Sequence, residues 1–368
     1  MSAADPSRIF AGASLRDVRS RRELLPALGE DVLLHAGPPY APGARVPQAV
    51  LHAAAWACVH DGLAKCFAEG LAAVATGQVR LAPAQDHGVV TPLAQVVSAG
   101  MPLVVVGDGA TACYAPLAEA PAPALRFGSP DGQCVDNMRE LGAWACDALA
   151  PFLRGAPVAL GPIIAAALAA GEECHALTAA AHAGLIARLD DPALRADARL
   201  ATNPGFVLTP LMAAAAWVLD SREHGLAAIG GNGVRFGVRA RGATRWHDVP
   251  ATAPVGTRFP VAPDDAVLGA IGDSAVLDAC GLGGQALRRA PALVSAWADS
   301  LPADWAERAE AVLGADGVLD PARILTHGKG PLIHLAMVGA GTAAGLLGRG
   351  FYVPPVSLFE PLIQEIPA

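Results

Sequence analysis

The sequence is short of charge. Only 16% of its 368 residues are Asp, Glu, Lys or Arg, against about 25% in an average soluble domain, and 53% are hydrophobic. That excludes a disordered chain and a coiled coil. Lysine is nearly missing, with Lys65 and Lys329 alone among 26 basic residues, so the arginines reflect a coding bias and a single Arg says little about anions. The net charge is −8, and beyond Arg19, Arg21 and Arg22 no stretch gathers basic residues. Nucleic acid is therefore set aside as a partner. Seven cysteines form no Cys-x-x-Cys pair, which argues against a disulfide framework or a cysteine-rich zinc site and fits a reducing cytoplasm.

A signal-peptide apolar core is also lacking, because Asp5, Arg8, Arg16, Asp17 and Arg19 precede any apolar run. The run 330–348 reaches spanning length but contains Pro331, His334 and five glycines, and reads as buried glycine-rich core. Val158 to Ala170 is too short to span and reads as a core helix. Phosphate loops fail as well: Gly328-Lys329-Gly330 lacks the Walker A spacing, and Gly339, Gly341 and Gly345 miss the dinucleotide fingerprint by one residue. No cofactor is expected. There is no Gly-x-Ser-x-Gly elbow, and the block Gly272-Asp273-Ser274 lies too late in the chain for the lipase class that carries its nucleophile in such a block.

What is present in excess is glycine and proline, 40 and 31 residues without a collagen period. They punctuate a mixed pattern. Asp31 to His35 reads as a short strand running into Gly37-Pro38-Pro39; 48–69 reads as an alanine-rich helix weakened only at Gly62; Pro102 to Gly107 reads as a buried strand. From 131 to 197 helical signals dominate, over 137–152, 163–170 and 172–189. Strand alternation returns at 233–239, where Val234, Phe236 and Val238 alternate with Arg235 and Arg239. The pattern predicts an α+β (mixed α/β) fold: an N-terminal α/β domain over 1–128, a small all-helical domain over 129–202, and a glycine-rich α+β domain over 203–368.

Several residues in this frame carry chemistry. Glycines at strand ends, around Asn232, at Gly272 to Ser274 and at Gly283-Gly284, suit backbone nests for an anion, although each also suits plain turn chemistry. His87, beside Asp86 in a loop, has the surroundings of an acid/base group or of an ordinary turn histidine. His35 ends a strand and is placed to face a ligand. Glu172, His175 and His182 fall on roughly one face of the predicted helix, a weak metal arrangement that helix capping by Glu172 and Glu173 partly explains. No metal is expected.

Taken in order, the segments His35 to Pro39, His87-Gly88, Met101-Pro102, Leu125 to Gly128, Gly171 to His175, Asn232-Gly233, Phe236-Gly237, Ile271 to Ala275, Gly283-Gly284, Gly339 to Gly341 and Pro354-Pro355 with Phe359 resemble the YlbE-like family. Gln85-Asp86 stands where that family carries a histidine-rich run, and Ala176 and Leu177 follow His175 where it has polar residues. The resemblance implies an AllG-like subunit associated with oxamate carbamoyltransferase in purine degradation, working with FdrA-like and YlbF-like partners. The implied reaction moves a carbamoyl group between oxamate and phosphate through oxalurate and carbamoyl phosphate. Such chemistry needs anion clamps, an oxyanion pocket and one acid/base group. On this reading His87, oriented by Asp86, moves the proton; Arg126, Arg235, Asn232 and His35 contact the anionic substrate; and Gly272, Asp273, Ser274, Gly283 and Gly284 line the pocket and donate backbone N–H groups. The alternatives are a non-catalytic assembly or substrate-binding subunit of the same complex, or a free-standing amidohydrolase.

Overall fold

A computed structural model describes residues 6–119, 123–341 and 345–364. Its strands are β1 (Ser14–Ser20), β2 (Val32–His35), β3 (Arg80–Pro83), β4 (Pro102–Gly107), β5 (Ala112–Pro116), β6 (Val158–Ala159) and β7 (Leu226–Asn232). They continue with β8 (Arg235–Ala240), β9 (His247–Pro250), β10 (Val255–Arg258), β11 (Ile271–Gly272), β12 (Ile333–Val338) and β13 (Leu346–Tyr352). Among the described residues these make sheets of order β5-β4-β1-β6, β11-β7-β8-β9 and β10-β13-β12, all antiparallel, and a parallel pair β2-β3. With the helices between them, the fold is mixed α+β, as the periodicity indicates.

The parallel pair decides where chemistry can sit. Val32 lies opposite Arg80 and His35 opposite Pro83, so the chain must cross over between the two strands. Helices Gln48–His60 and Phe67–Ala75 make that crossover. The single helix expected over 48–69 is thus two, because Gly62 takes a φ of 75° that ends the first. Both parallel strands finish on one side, and the turns after them, 36–40 and 84–88, emerge next to each other.

The helical region also shows how composition hides detail. Helix Gln133–Trp144 passes through a π turn at Ala145–Leu149 into helix Ala150–Gly155. Pro151 lacks the N–H that a regular helix would use here, and a wider turn absorbs the missing bond. The apolar run 158–170 begins as the short strand β6 before helix Gly161–Ala169. The apolar run 330–348 contains β12 and the start of its antiparallel partner β13, with 342–344 outside the described residues, and among the described residues no helix is long and apolar enough to cross a membrane.

One apolar cluster draws residues from Phe10 to Leu362, and its middle is helix Leu208–Asp220, which packs on β4, β5 and β7. Ten of that helix's residues are buried, so it is a core element and not an amphipathic surface one. A second cluster sits between the parallel pair and helix Gln48–His60. Between the two lies a close backbone contact: a Cβ on Gly37, whose φ is +73°, would stand 2.4 Å from the carbonyl carbon of Gly231. Gly37→Ala should therefore destabilise the protein by about 2 kcal/mol or more, lowering the urea midpoint with little change in slope. An unchanged midpoint would show that the two segments do not meet.

Candidate functional site

Asp273 follows β11 and is fully buried. Its Oδ1 accepts the Gly37 amide at 2.8 Å and Gln85 Nε2 at 2.6 Å. Its Oδ2 accepts the Thr91 amide at 2.9 Å and the Thr91 hydroxyl at 3.3 Å. Gln85 also donates to the Ile229 carbonyl at 3.0 Å and accepts the Ile229 amide at 3.1 Å. Beside it Asn232 donates to the Pro38 carbonyl at 2.8 Å, while its Oδ1 accepts the Val234 and Arg235 amides at 3.0 and 2.8 Å. Four segments remote in sequence meet here: the turns after β2 and β3, the β7–β8 turn, and the block after β11.

Burial raises the Asp273 carboxyl to about 7, even though four donors favour its charged form. His35 is buried in the same junction. Its Nδ1 lies 2.8 Å from the Ala36 carbonyl, the ring rests 4.6 Å from that of Tyr40, and Nε2 has no partner among the described residues. Burial pulls its pKa down to about 4, so the imidazole is neutral at physiological pH. The backbone is strained at this point too. Gly272 has φ +118° against the Leu93 amide, and Leu93 itself takes a φ of 51°.

The structure spreads the other sequence-derived residues apart. His87 is half-buried, and burial together with the charge of Arg21 outweighs Asp86 to hold its pKa below the ordinary value. Asp86 does not hydrogen-bond to that ring. Its Oδ1 accepts Trp246 Nε1 at 2.9 Å and lies 3.2 Å from Arg239 Nε. Arg126 donates from Nη1 to the Glu119 carbonyl at 2.6 Å and to Glu119 Oε2 at 3.0 Å. Arg235 pairs with the Asp248 carboxylate and carbonyl. The Gly283 amide donates to the Glu173 carbonyl at 2.8 Å and the Gly284 amide to Asp278 Oδ1 at 2.7 Å. The arginines and glycine amides expected to clamp a ligand are bonded inside the protein.

Glu172, His175 and His182 share no helix face. The predicted helix starts only at Ala179, because Cys174 has a φ of 63° and the preceding residues form a loop. Glu172 accepts the Ala180 and Ala181 amides at 2.8 and 3.2 Å, capping helix Ala179–Ala187. His182 Nε2 lies 2.9 Å from the Leu200 carbonyl. Among the described residues no group of three His, Cys, Asp or Glu is arranged to hold a metal ion.

His175 belongs to a second centre that sequence reasoning missed. Its Nδ1 lies 2.9 Å from Oδ2 of Asp278, a fully buried residue on helix Ala275–Ala279, which starts immediately after Asp273-Ser274. Asp278 Oδ1 accepts the amides of Gly284 and of His334, the latter at 3.0 Å. His334 Nδ1 in turn lies 3.0 Å from Oε1 of the buried Glu173, which also accepts the Ala176 and Leu177 amides. Burial pushes Glu173 up, but the hydrogen bond and charge of His334 hold it below its ordinary pKa. Besides His175 itself, the sequence signals for this centre are Asp278 standing alone in the apolar run 275–279 and His334 inside the apolar run 330–348.

Residues 79–274, which contain most of the first junction and the loop of His175, match the family described as "Oxamate carbamoyltransferase subunit AllG". The chain belongs to the AllG family. It is 29% identical over 394 aligned positions to the oxamate carbamoyltransferase subunit AllG of Escherichia coli K12, covering 95% of this chain and 93% of that one. To the uncharacterized protein YahG of the same organism it is 28% identical over 382 positions, covering 92% and 79%. A crystal structure of a conserved protein of unknown function from Enterococcus faecalis V583 superposes with a TM-score of 0.82 at 23% identity, over 99% of this chain and 96% of that one. That likeness shows the fold.

In this AllG-family chain the junction makes stability depend on pH. Folding raises the Asp273 pKa from about 3.8 to about 7, so the folded state binds the extra proton between those values and stability falls as pH rises through that window. His35 works the other way: its folded pKa of about 4 lies below 6.5, so its contribution is lost as pH falls from about 6.5 towards 4. Asp273→Asn should remove only the first trend. The stability advantage of the native protein over the variant, measured by urea unfolding, should shrink as pH rises between about 4 and 7; a gap that is constant or widens would contradict it.

Proposed function

We propose that this chain is one subunit of a carbamoyltransferase-type complex acting on a small carboxylated amide. In this reading it exchanges a carbamoyl group between oxamate and phosphate, through oxalurate and carbamoyl phosphate, in purine degradation in the cytoplasm. Its partners are FdrA-like and YlbF-like subunits, as the likeness to the YlbE-like family implies. The observation that carries the reading is the AllG-family match over 79–274. That span includes His87, Arg126, His175, Asn232, Arg235 and the block 272–274. The reading is supported by imidazoles that can hold or release a proton, His87 half-buried and His175 on a buried carboxylate.

One observation favours a second reading, an assembly or substrate-binding subunit of the same complex. Arg126, Arg235 and the Gly283 and Gly284 amides are all engaged within the chain, so groups that clamp carboxylate and phosphate come, in that reading, from a partner. An assay separates the two. The purified chain is incubated with oxalurate and phosphate, alone and with its FdrA-like and YlbF-like partners, and carbamoyl phosphate is measured. Product is expected only in the mixture. Its absence from both would sink the carbamoyltransferase reading, and equal yield without partners would sink the requirement for a complex.

A further inference from the structure

We propose that His175, positioned by Asp278, is the imidazole that moves the proton at the amide nitrogen. This rests on the carbamoyltransferase reading and deepens it. The sequence suggests His87 for that role, yet among the described residues no carboxylate is hydrogen-bonded to His87, whereas Asp278 lies 2.9 Å from His175 Nδ1. A carboxylate at Nδ1 fixes the tautomer that leaves a lone pair on Nε2 and stabilises the imidazolium once a proton arrives.

The support for Asp278 is itself rigid. Its second oxygen is held by the Gly284 and His334 amides at 2.7 and 3.0 Å. A Cβ on Gly283, which has φ +51°, would lie 2.3 Å from that oxygen, so the close wrap of the loop requires glycine. Cys174, just before His175, carries a left-handed backbone unusual for a side-chain-bearing residue, a cost that recurs where a side chain must be aimed. Access then chooses between the two histidines of the centre. Among the described residues His334 is 1% exposed and its Nε2 is enclosed without a partner, while His175 keeps 9% exposure, 7% on its side chain. With ring centroids 6.1 Å apart, His334 and Glu173 form a layer behind His175.

In the forward step the amide nitrogen of oxamate attacks the carbamoyl carbon, forming the C–N bond. The C–O bond to phosphate breaks with its electron pair leaving on phosphate, and the proton shed by nitrogen goes to His175 Nε2. In reverse, a phosphate oxygen attacks the same carbon and the imidazolium returns the proton to the departing oxamate nitrogen. Asp278 touches no reactant and acts as a positioning residue.

The test uses the assembled complex. His175→Gln should lower kcat by about 10²–10⁴ with KM for carbamoyl phosphate nearly unchanged, and Asp278→Asn should lower kcat and move the acid limb of the pH–rate profile. The charged and titratable groups facing His175 are Asp278, Glu173 and His334. For the native chain, ¹⁵N NMR should find the His175 proton on Nδ1, and the ring should titrate at the pKa of the kinetic acid limb; this arm needs no variant to fold. An active native complex with an equally active His175→Gln variant, or a kinetic limb that departs from the His175 titration, overturns the proposal. A native complex that makes no carbamoyl phosphate overturns the underlying reading instead, and NMR then judges the Asp278–His175 geometry alone: a proton on Nε2 overturns it.

Discussion

A carboxylate buried without a cation must be surrounded by donors, and Asp273 is satisfied by donors from two other chain segments. Hydrogen bonds to a charged group are worth about 1.5–3 kcal/mol each, while leaving such a group bare costs several. The turn after β2, the turn after β3 and Thr91 are therefore tied to β11 by a requirement stronger than any apolar contact among them. Gln85 extends the tie to β7 and Asn232 to the β7–β8 turn. The parallel pair and the sheet β11-β7-β8-β9 are joined a second time where Asp86 accepts Trp246 Nε1 and pairs with Arg239 of β8, so directional bonds on both sides of Gln85 fix how the two meet.

The second centre depends on the first through covalent geometry. Helix Ala275–Ala279 is five residues long, wholly buried, and begins one residue past Asp273-Ser274. Fixing Asp273 fixes the start of that turn and a half of helix, and with it the direction in which Asp278 leaves the far end. The two carboxylates differ in what compensates them. Asp273 has neutral donors only, and burial raises its pKa. Asp278 and Glu173 each face an imidazole, so their charge can be matched by a proton on a neighbour. A site that exchanges protons needs the second kind of compensation; a structural knot is better served by the first.

The fold was legible where punctuation was strong. β2 and β4 follow from short apolar runs ended by glycine or proline and β8 from alternation, and the segments of His35, Gln85, Asn232 and Asp273 meet. Helix limits were less legible, because alanine spreads hydrophobicity around every face and blunts the 3.6-residue period; the start at Ala179 is set by the left-handed backbone at Cys174 and by Glu172 bonding two backbone amides, which periodicity does not register. The partners of Arg126, Arg235 and Asp86 were not legible at all. Each lies where tertiary approach puts it, 160 positions away for Asp86 and Trp246, and a single sequence carries no record of such pairs. The bonds of Gln85 and His334 are illegible for the same reason: Gln85 meets Ile229 and Asp273, and His334 meets Glu173, across more than 140 positions.

Glycine changes its meaning in the folded chain. The loop at Gly283-Gly284 looks like a nest for a foreign anion, yet the anion it approaches is the protein's own: Asp278 accepts from Gly284, as Asp273 accepts from Gly37. A loop already wrapped on a carboxylate repels a second one unless the first gives up its charge or a cation comes near. With a net charge of −8 and Arg126 and Arg235 held by Glu119 and Asp248, positive potential for an oxamate- or phosphate-like ligand is scarce around both centres. In the proposed reading that shortage gives the complex a physical reason: this chain supplies an oriented imidazole, and cationic groups across an interface hold the substrate's negative charge against it.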